Sequence, residues 1–135
     1  MRRIKRPRKR GARRSVDPSL LQYPRKQSEF EIQAYLFSEL RGMGLDARGE
    51  VRAGRESRFD IVVFEEKAPV LIIEVKTRRL PRNPSSPRMR EMSRRRAEQA
   101  HRYDAYGLPV VWVEGMRQAE LFIQKKREEI QQRGE

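Results

Sequence analysis

The chain has 135 residues, enough for one domain with a single core and too short for a second catalytic module, so any motor or partner domain is expected on another chain. It has no cysteine and one histidine, His101, which excludes a disulfide framework, thiolate zinc sites and histidine-based hydrolytic triads. Lys and Arg number 32 against 19 Asp and Glu, and the net charge of +13 points to a polyanionic partner, nucleic acid being the commonest. No apolar run approaches the roughly 20 residues that cross a bilayer, so a soluble, cytoplasmic protein is expected.

Residues 1 to 14 carry nine basic residues and no acid. With little apolar surface to bury, such a segment is expected to stay flexible until it meets a phosphate backbone. We read 1–27 as a basic arm, with Arg8, Lys9 and Arg10 among its nucleic-acid contacts. Ser28 is suited to cap a helix running to about Gly42, with Ile32, Leu36, Leu40 and Met43 along one stripe. Glu29 lies over the middle of that stripe and Glu31 on the opposite side. Gly44 stops the helix, Leu45 to Val51 can form a first strand, and residues 53–57 read as a turn.

Arg58 to Glu65 is branched, aromatic and apolar on both faces, the pattern of a covered strand. The connection Glu66-Lys67-Ala68-Pro69 is short enough for a hairpin into Val70 to Lys76, so these two strands should be neighbours. Pro81, Pro84 and Pro87, with their serines, predict an irregular loop over 80–87. A second long helix is predicted from about Arg88 to Tyr106, before Gly107 and Pro109. Val110 to Val113 is a further covered strand, and strand, helix and strand in succession predict a crossover with a parallel pairing. From Met116 a polar helix follows, weakly amphipathic through Ala119, Phe122, Ile123 and Ile130. The expected fold is α/β, a central mixed sheet of about four strands flanked by helices, with 28–115 as the main body and 116–135 as a C-terminal helix.

Two acids stand out in this apolar setting. Alternation along a strand puts Glu74 and Lys76 on one side and Ile73 and Val75 on the other, and Asp60 begins the neighbouring strand. Two carboxylates one strand spacing apart, about 4.8 Å, repel by about 1 to 4 kcal/mol at effective dielectrics of 80 down to 20. A divalent cation reverses that sign, and oxygen-only ligands suit Mg²⁺ or Mn²⁺. The amine of Lys76 beside such a cation can hold an attacking water and stabilise charge on a scissile phosphate. Gln99 and Tyr103, four apart on the second helix, can reach the same phosphate or water. His101 points elsewhere and is given no role. Arg95, Arg96 and Arg102, with Arg58, are read as phosphate contacts, which position DNA without reading its sequence.

Glu29, then Arg58-Phe59-Asp60, then Glu74-Val75-Lys76, then Gln99 and Tyr103 together resemble the PD-(D/E)XK nuclease superfamily. The stretch from Ser28 to Gly115 is most similar to the N-terminal nuclease domain of type I restriction enzyme R subunits, and more distantly to RecB-like nucleases and Holliday junction resolvases. The resemblance implies a restriction endonuclease-like core. It also implies that Asp60, Glu74 and the Val75 carbonyl ligate the metal, that Lys76 acts on the water, and that Glu29 completes the site. Phe59 stands where the family's eponymous proline would be. No GxxxxGK[ST] motif occurs, so the helicase motor of an R subunit is missing from this sequence.

The expected function is Mg²⁺- or Mn²⁺-dependent hydrolysis of DNA phosphodiester bonds, of restriction or repair type. Symmetric double-strand cutting would require a homodimer, and a helicase or a restriction or repair subunit could act in trans. Two other readings stay open: a nuclease-like fold kept only for its grip on DNA, and a basic RNA-binding protein.

Overall fold

A computed structural model describes residues 16–24, 27–55, 57–77 and 83–134. Helix α1 spans Glu29–Gly42, and the Ser28 hydroxyl accepts the Glu31 N–H at 3.2 Å, satisfying one of the donors a helix start leaves over. Its end is a Schellman motif. Gly44, at φ +85°, donates to the Arg41 carbonyl while Leu45 donates to that of Leu40. The chain then enters β1 (Asp46–Ala53), β2 (Ser57–Glu65) and β3 (Ala68–Lys76). Helix α2 covers Pro87–Asp104, strand β4 Val110–Glu114, and helix α3 Met116–Arg133.

The four strands form one mixed sheet in the order β1-β2-β3-β4. The first two pairings are antiparallel and β3 pairs with β4 in parallel, as the intervening α2 requires. The β2–β3 turn places Glu66 at φ +49° and Lys67 at φ +67°, so both central residues adopt the left-handed backbone of a type I′ turn. Helix α2 starts where proline favours it. Pro87 occupies the first turn and the Ser86 hydroxyl accepts from Met89 N–H at 3.1 Å.

Helices α1 and α3 share one face of the sheet. Ile32, Leu36 and Leu40 from α1, with Ala119 and Ile123 from α3, pack on Ala47, Ile61, Val63, Ile73, Val75 and Val113. Each fully buried Leu or Ile there contributes about 1.5–3 kcal/mol of apolar burial. The C-terminal helix is therefore part of the same core as the sheet. Helix α2 covers the opposite face through Tyr103, its one buried residue, which packs with Phe59, Val62 and Ile72.

Alternation along β2 slips at one position. Phe59 joins the α2 face and Ile61, two residues on, joins the other, so the strand turns over at Asp60. The β2–β3 register runs from Glu65↔Ala68, with a shift between Val63 and Phe64, only as far as Ile61↔Ile73, and beyond it the Asp60 carboxylate accepts the Val75 N–H at 2.8 Å. A side chain has taken the place of a ladder carbonyl, and this brings Asp60 against the end of β3.

Candidate active site

Glu74 follows from the pleat of β3: Ile72, on the same side, packs against Tyr103 of α2, and Ile73 and Val75 go to the other core. Glu74 is only 4% exposed. Its Oε1 accepts from Gln99 Nε2 at 3.2 Å and lies 3.7 Å from Lys76 Nζ, while Oε2 is buried with no hydrogen-bond partner. Burial, and next the neighbouring charge of Asp60, push Glu74 up to about 7 from an ordinary 4.5, against the pull of Lys76.

Gln99 and Tyr103 face this pair from one helical turn of α2. Gln99 Nε2 also donates to the Tyr103 hydroxyl at 2.6 Å. The Tyr103 ring is fixed edge-on to Phe59, centroids 4.7 Å apart, and stacked near Trp112 at 6.1 Å. Burial first, and then the charge of Glu74, push its hydroxyl up to about 12, so it remains a donor throughout the neutral range. Lys76, partly covered, has its ammonium 5.8 Å from the Trp112 ring centre. Asp60, Glu74, Lys76, Gln99 and Tyr103 therefore converge on one spot.

Outside that spot a groove of about 460 Å³ is lined by Glu29, Lys76, Gln99, Arg95, Arg96 and Arg102, among others. Glu29 is exposed at the first position of α1 rather than over the buried stripe, because the stripe starts one turn further on at Ile32. Among the described residues no three acids or histidines gather closely enough to form a metal cluster, so Glu29 does not make a three-acid group with Asp60 and Glu74, although it shares the groove with Lys76 and Gln99. The residues that could hold a hard cation are Asp60 and Glu74, through oxygens, with the carbonyl of Val75, the residue after Glu74 in β3, beside them. Arg96 clasps Glu114 of β4 at 2.9 Å, and Arg95 pairs with Glu91 at 3.2 Å. Arg102 is exposed, as is His101. Arg58 pairs with Glu50 across β1 and β2, and Arg8, Lys9 and Arg10 lie outside the described residues.

Gln33 and Glu50 are additions that sequence reasoning missed. Gln33 Nε2 donates to the Asp60 carbonyl at 3.0 Å and to Glu50 Oε1 at 3.1 Å. The spacing of four between Glu29 and Gln33 was the available signal, since it puts both on one side of α1. No helix among the described residues is long and apolar enough to cross a membrane. Comparison with protein-family models, with curated proteins and with solved structures finds no match to this chain.

An acid pair with Glu74 buried and Asp60 half-buried, faced by an ammonium, an amide and a phenol, can bind a cation, hold a proton on one carboxyl, or donate several hydrogen bonds to an anion at the groove. Those are the ingredients of charge stabilisation at a phosphate or carbonyl centre.

Proposed function

We propose that this chain is a Mg²⁺- or Mn²⁺-dependent nuclease of the PD-(D/E)XK kind, with a restriction endonuclease-like core, hydrolysing DNA phosphodiester bonds. The observation that carries the reading is the meeting of Asp60, Glu74 and Lys76 under Gln99 and Tyr103, beside a groove rimmed by Arg95 and Arg102. The same residues form the pattern that resembles the superfamily.

The donor set fits a hard cation. Glu74 Oε2 is a buried oxygen lacking a partner, and burial, with the nearby charge of Asp60 second, raises the Glu74 pKa toward neutrality; a cation would relieve both. Mg²⁺ is commonly held by one or two carboxylates, with water and substrate phosphate completing its shell. When bound, such an ion supplies a water of lowered pKa and offsets charge on the scissile phosphate.

The chain's own groups account for the remainder. Lys76 can donate to the attacking water or to a phosphate oxygen, and the 3.7 Å contact with Glu74 keeps its ammonium at the site. Gln99 holds Glu74 in one rotamer, and the Tyr103 hydroxyl, protonated at neutral pH, is a second donor. Arg95 and Arg102 would grip backbone phosphates flanking the cleaved bond. DNA is then the partner, in the cytoplasm, with a second copy needed for symmetric double-strand cuts and a helicase or a restriction or repair subunit as a companion in trans.

The test is incubation of the purified chain with labelled duplex, single-stranded, flap and junction DNA, and with structured RNA, with Mn²⁺, Mg²⁺ or EDTA. Cleavage of DNA only with metal, abolished in E74A and K76A with binding retained, is the expected result. Undiminished cutting by either variant would remove the proposal, and binding without cutting under every condition would favour a DNA-gripping module.

A further inference from the structure

Strand β1 pairs with β2 through Gly49↔Ile61 and Val51↔Phe59, and the ladder skips the position between them, Glu50 and Asp60. Glu50 has φ +56°, a left-handed conformation that a non-glycine residue adopts inside a strand only when its surroundings hold it there. Two contacts hold it. Arg58 pairs with its carboxylate, and the Gln33 amide reaches from α1 to the same carboxylate at 3.1 Å. With the ladder interrupted at this point, the Asp60 carbonyl accepts instead from Gln33 Nε2 at 3.0 Å.

We infer that Gln33 is a positioning residue, which together with Glu50 sets the peptide plane of Asp60 and so aims its carboxylate at the end of β3. The backbone carbonyl and the side chain of Asp60 leave the same Cα. Fixing the carbonyl from α1 limits the directions the carboxylate can take, and its Oδ2 is found on Val75 N–H at 2.8 Å. One oxygen is thereby committed to β3 and the other stands outside that bond. Gln33 itself is anchored because its helix packs Ile32 and Leu36 into the core on either side of it in sequence. A carboxylate held this way need not be reoriented when a ligand arrives, which is the usual service of groups that support a site from behind. The inference concerns the geometry of Asp60, and its bearing on catalysis rests on the nuclease reading above.

Two measurements separate the inference from that reading. The first is amide hydrogen exchange of the metal-free protein, comparing wild type with Q33M, which keeps the side-chain volume and loses the donor, and with Q33K, which restores a donor of similar reach. Protection of Val75 N–H is expected to fall about tenfold in Q33M, at unchanged protection of Ile73 N–H, and to recover in Q33K. The second is the Mn²⁺ concentration giving half-maximal thermal stabilisation, expected to rise several-fold in Q33M and to return toward wild type in Q33K. Unchanged Val75 protection in Q33M overturns the inference, as does a loss shared equally by Ile73 and Val75. Lost Val75 protection in a protein whose wild type is not stabilised by Mn²⁺ upholds the positioning role and counts against the metal reading alone.

Discussion

The Gln99 amide of α2 sits 3.2 Å from Oε1 of Glu74 and 2.6 Å from the Tyr103 hydroxyl, so one side chain links both polar groups that face each other across the α2 side of the sheet. It does so at the point where α2 is best fixed, since Tyr103 is the helix's one buried residue. The polar contacts at the acid pair and the apolar anchoring of α2 are thus the same contact. Movement of α2 away from the sheet would expose Glu74 and remove its donor together.

Replacing Tyr103 by Phe tests how these two parts divide. The ring contacts with Phe59 and Trp112 survive, and only the hydroxyl is lost. We expect about 1 kcal/mol of destabilisation or less, because Gln99 retains Glu74 as a partner. The hydroxyl lowers the Glu74 pKa, so Y103F should raise it further. Titration of Glu74 followed by carboxyl-labelled NMR checks this, and a downward shift would contradict the assignment.

Glu74→Gln should stabilise the metal-free protein at alkaline pH. The native carboxyl titrates at about 7 against an ordinary 4.5, so between those values the folded state holds a proton that the unfolded state has released. By linkage this group favours the fold most below about pH 4.5, and its contribution declines as pH rises through 7. At about 1.4 kcal/mol per pKa unit the penalty above pH 7 is on the order of 3 kcal/mol. E74Q should recover a good part of it at pH 8, with the difference from wild type vanishing at pH 4. Equal melting temperatures at pH 8 would refute the account.

A cation bound at Asp60 and Glu74 should reverse that penalty. Ligand at 100 times its dissociation constant adds about 2.7 kcal/mol, and protons compete for the same oxygens. The Mg²⁺-induced rise in melting temperature is therefore expected to be larger at pH 8 than at pH 6 and to vanish in D60N and E74Q. A shift of equal size in both variants would place the ion elsewhere on the protein.

How much of this was legible beforehand differs by residue, and the reason is geometric. Glu74 and Lys76 could be placed on one side because a strand's period is two, and Gln99 with Tyr103 because a helix returns every 3.6 residues. The four strands, their order along the chain and the parallel β3–β4 pair also followed from local pattern and connection length. The turnover of β2 at Asp60 did not, since it depends on a ladder position filled by the Asp60 side chain and on an interruption in β1 at Glu50. The spacing from Glu29 gave the side of α1 on which Gln33 lies but not its partners, which are 17 and 27 residues away and meet it only once α1 is packed. Helical phase put Glu29 over the buried stripe of α1, but phase says which side a residue faces and nothing about whether the sheet extends beneath it, and Glu29 is exposed.

The β2–β3 turn offers a stability test remote from the acid pair. Glu66 and Lys67 both occupy left-handed backbone, which asparagine and glycine adopt at less cost. The double variant E66N/K67G should gain about 1 kcal/mol, seen as a melting temperature several degrees higher, with any nuclease activity unchanged. A lower melting temperature would mean that the turn is held by side-chain contacts of the native pair.

Salt dependence distinguishes the arm from the groove. Each phosphate contact adds about 0.9 to the slope of log affinity against log salt for duplex DNA. Residues 1 to 14 carry nine positive charges, so deleting them should flatten the slope by several such increments if the arm lies along the backbone. Arg102, exposed on the groove, should account for about one increment when changed to Ala. Arg95 already spends part of its charge on Glu91, 3.2 Å away, so R95A should cost less than R102A. The contrast is informative because it separates position from net charge: both variants remove one positive charge, and a purely global field would make their slopes equal. Identical slopes for R95A and R102A would therefore argue that DNA is attracted by the overall charge and does not enter this groove.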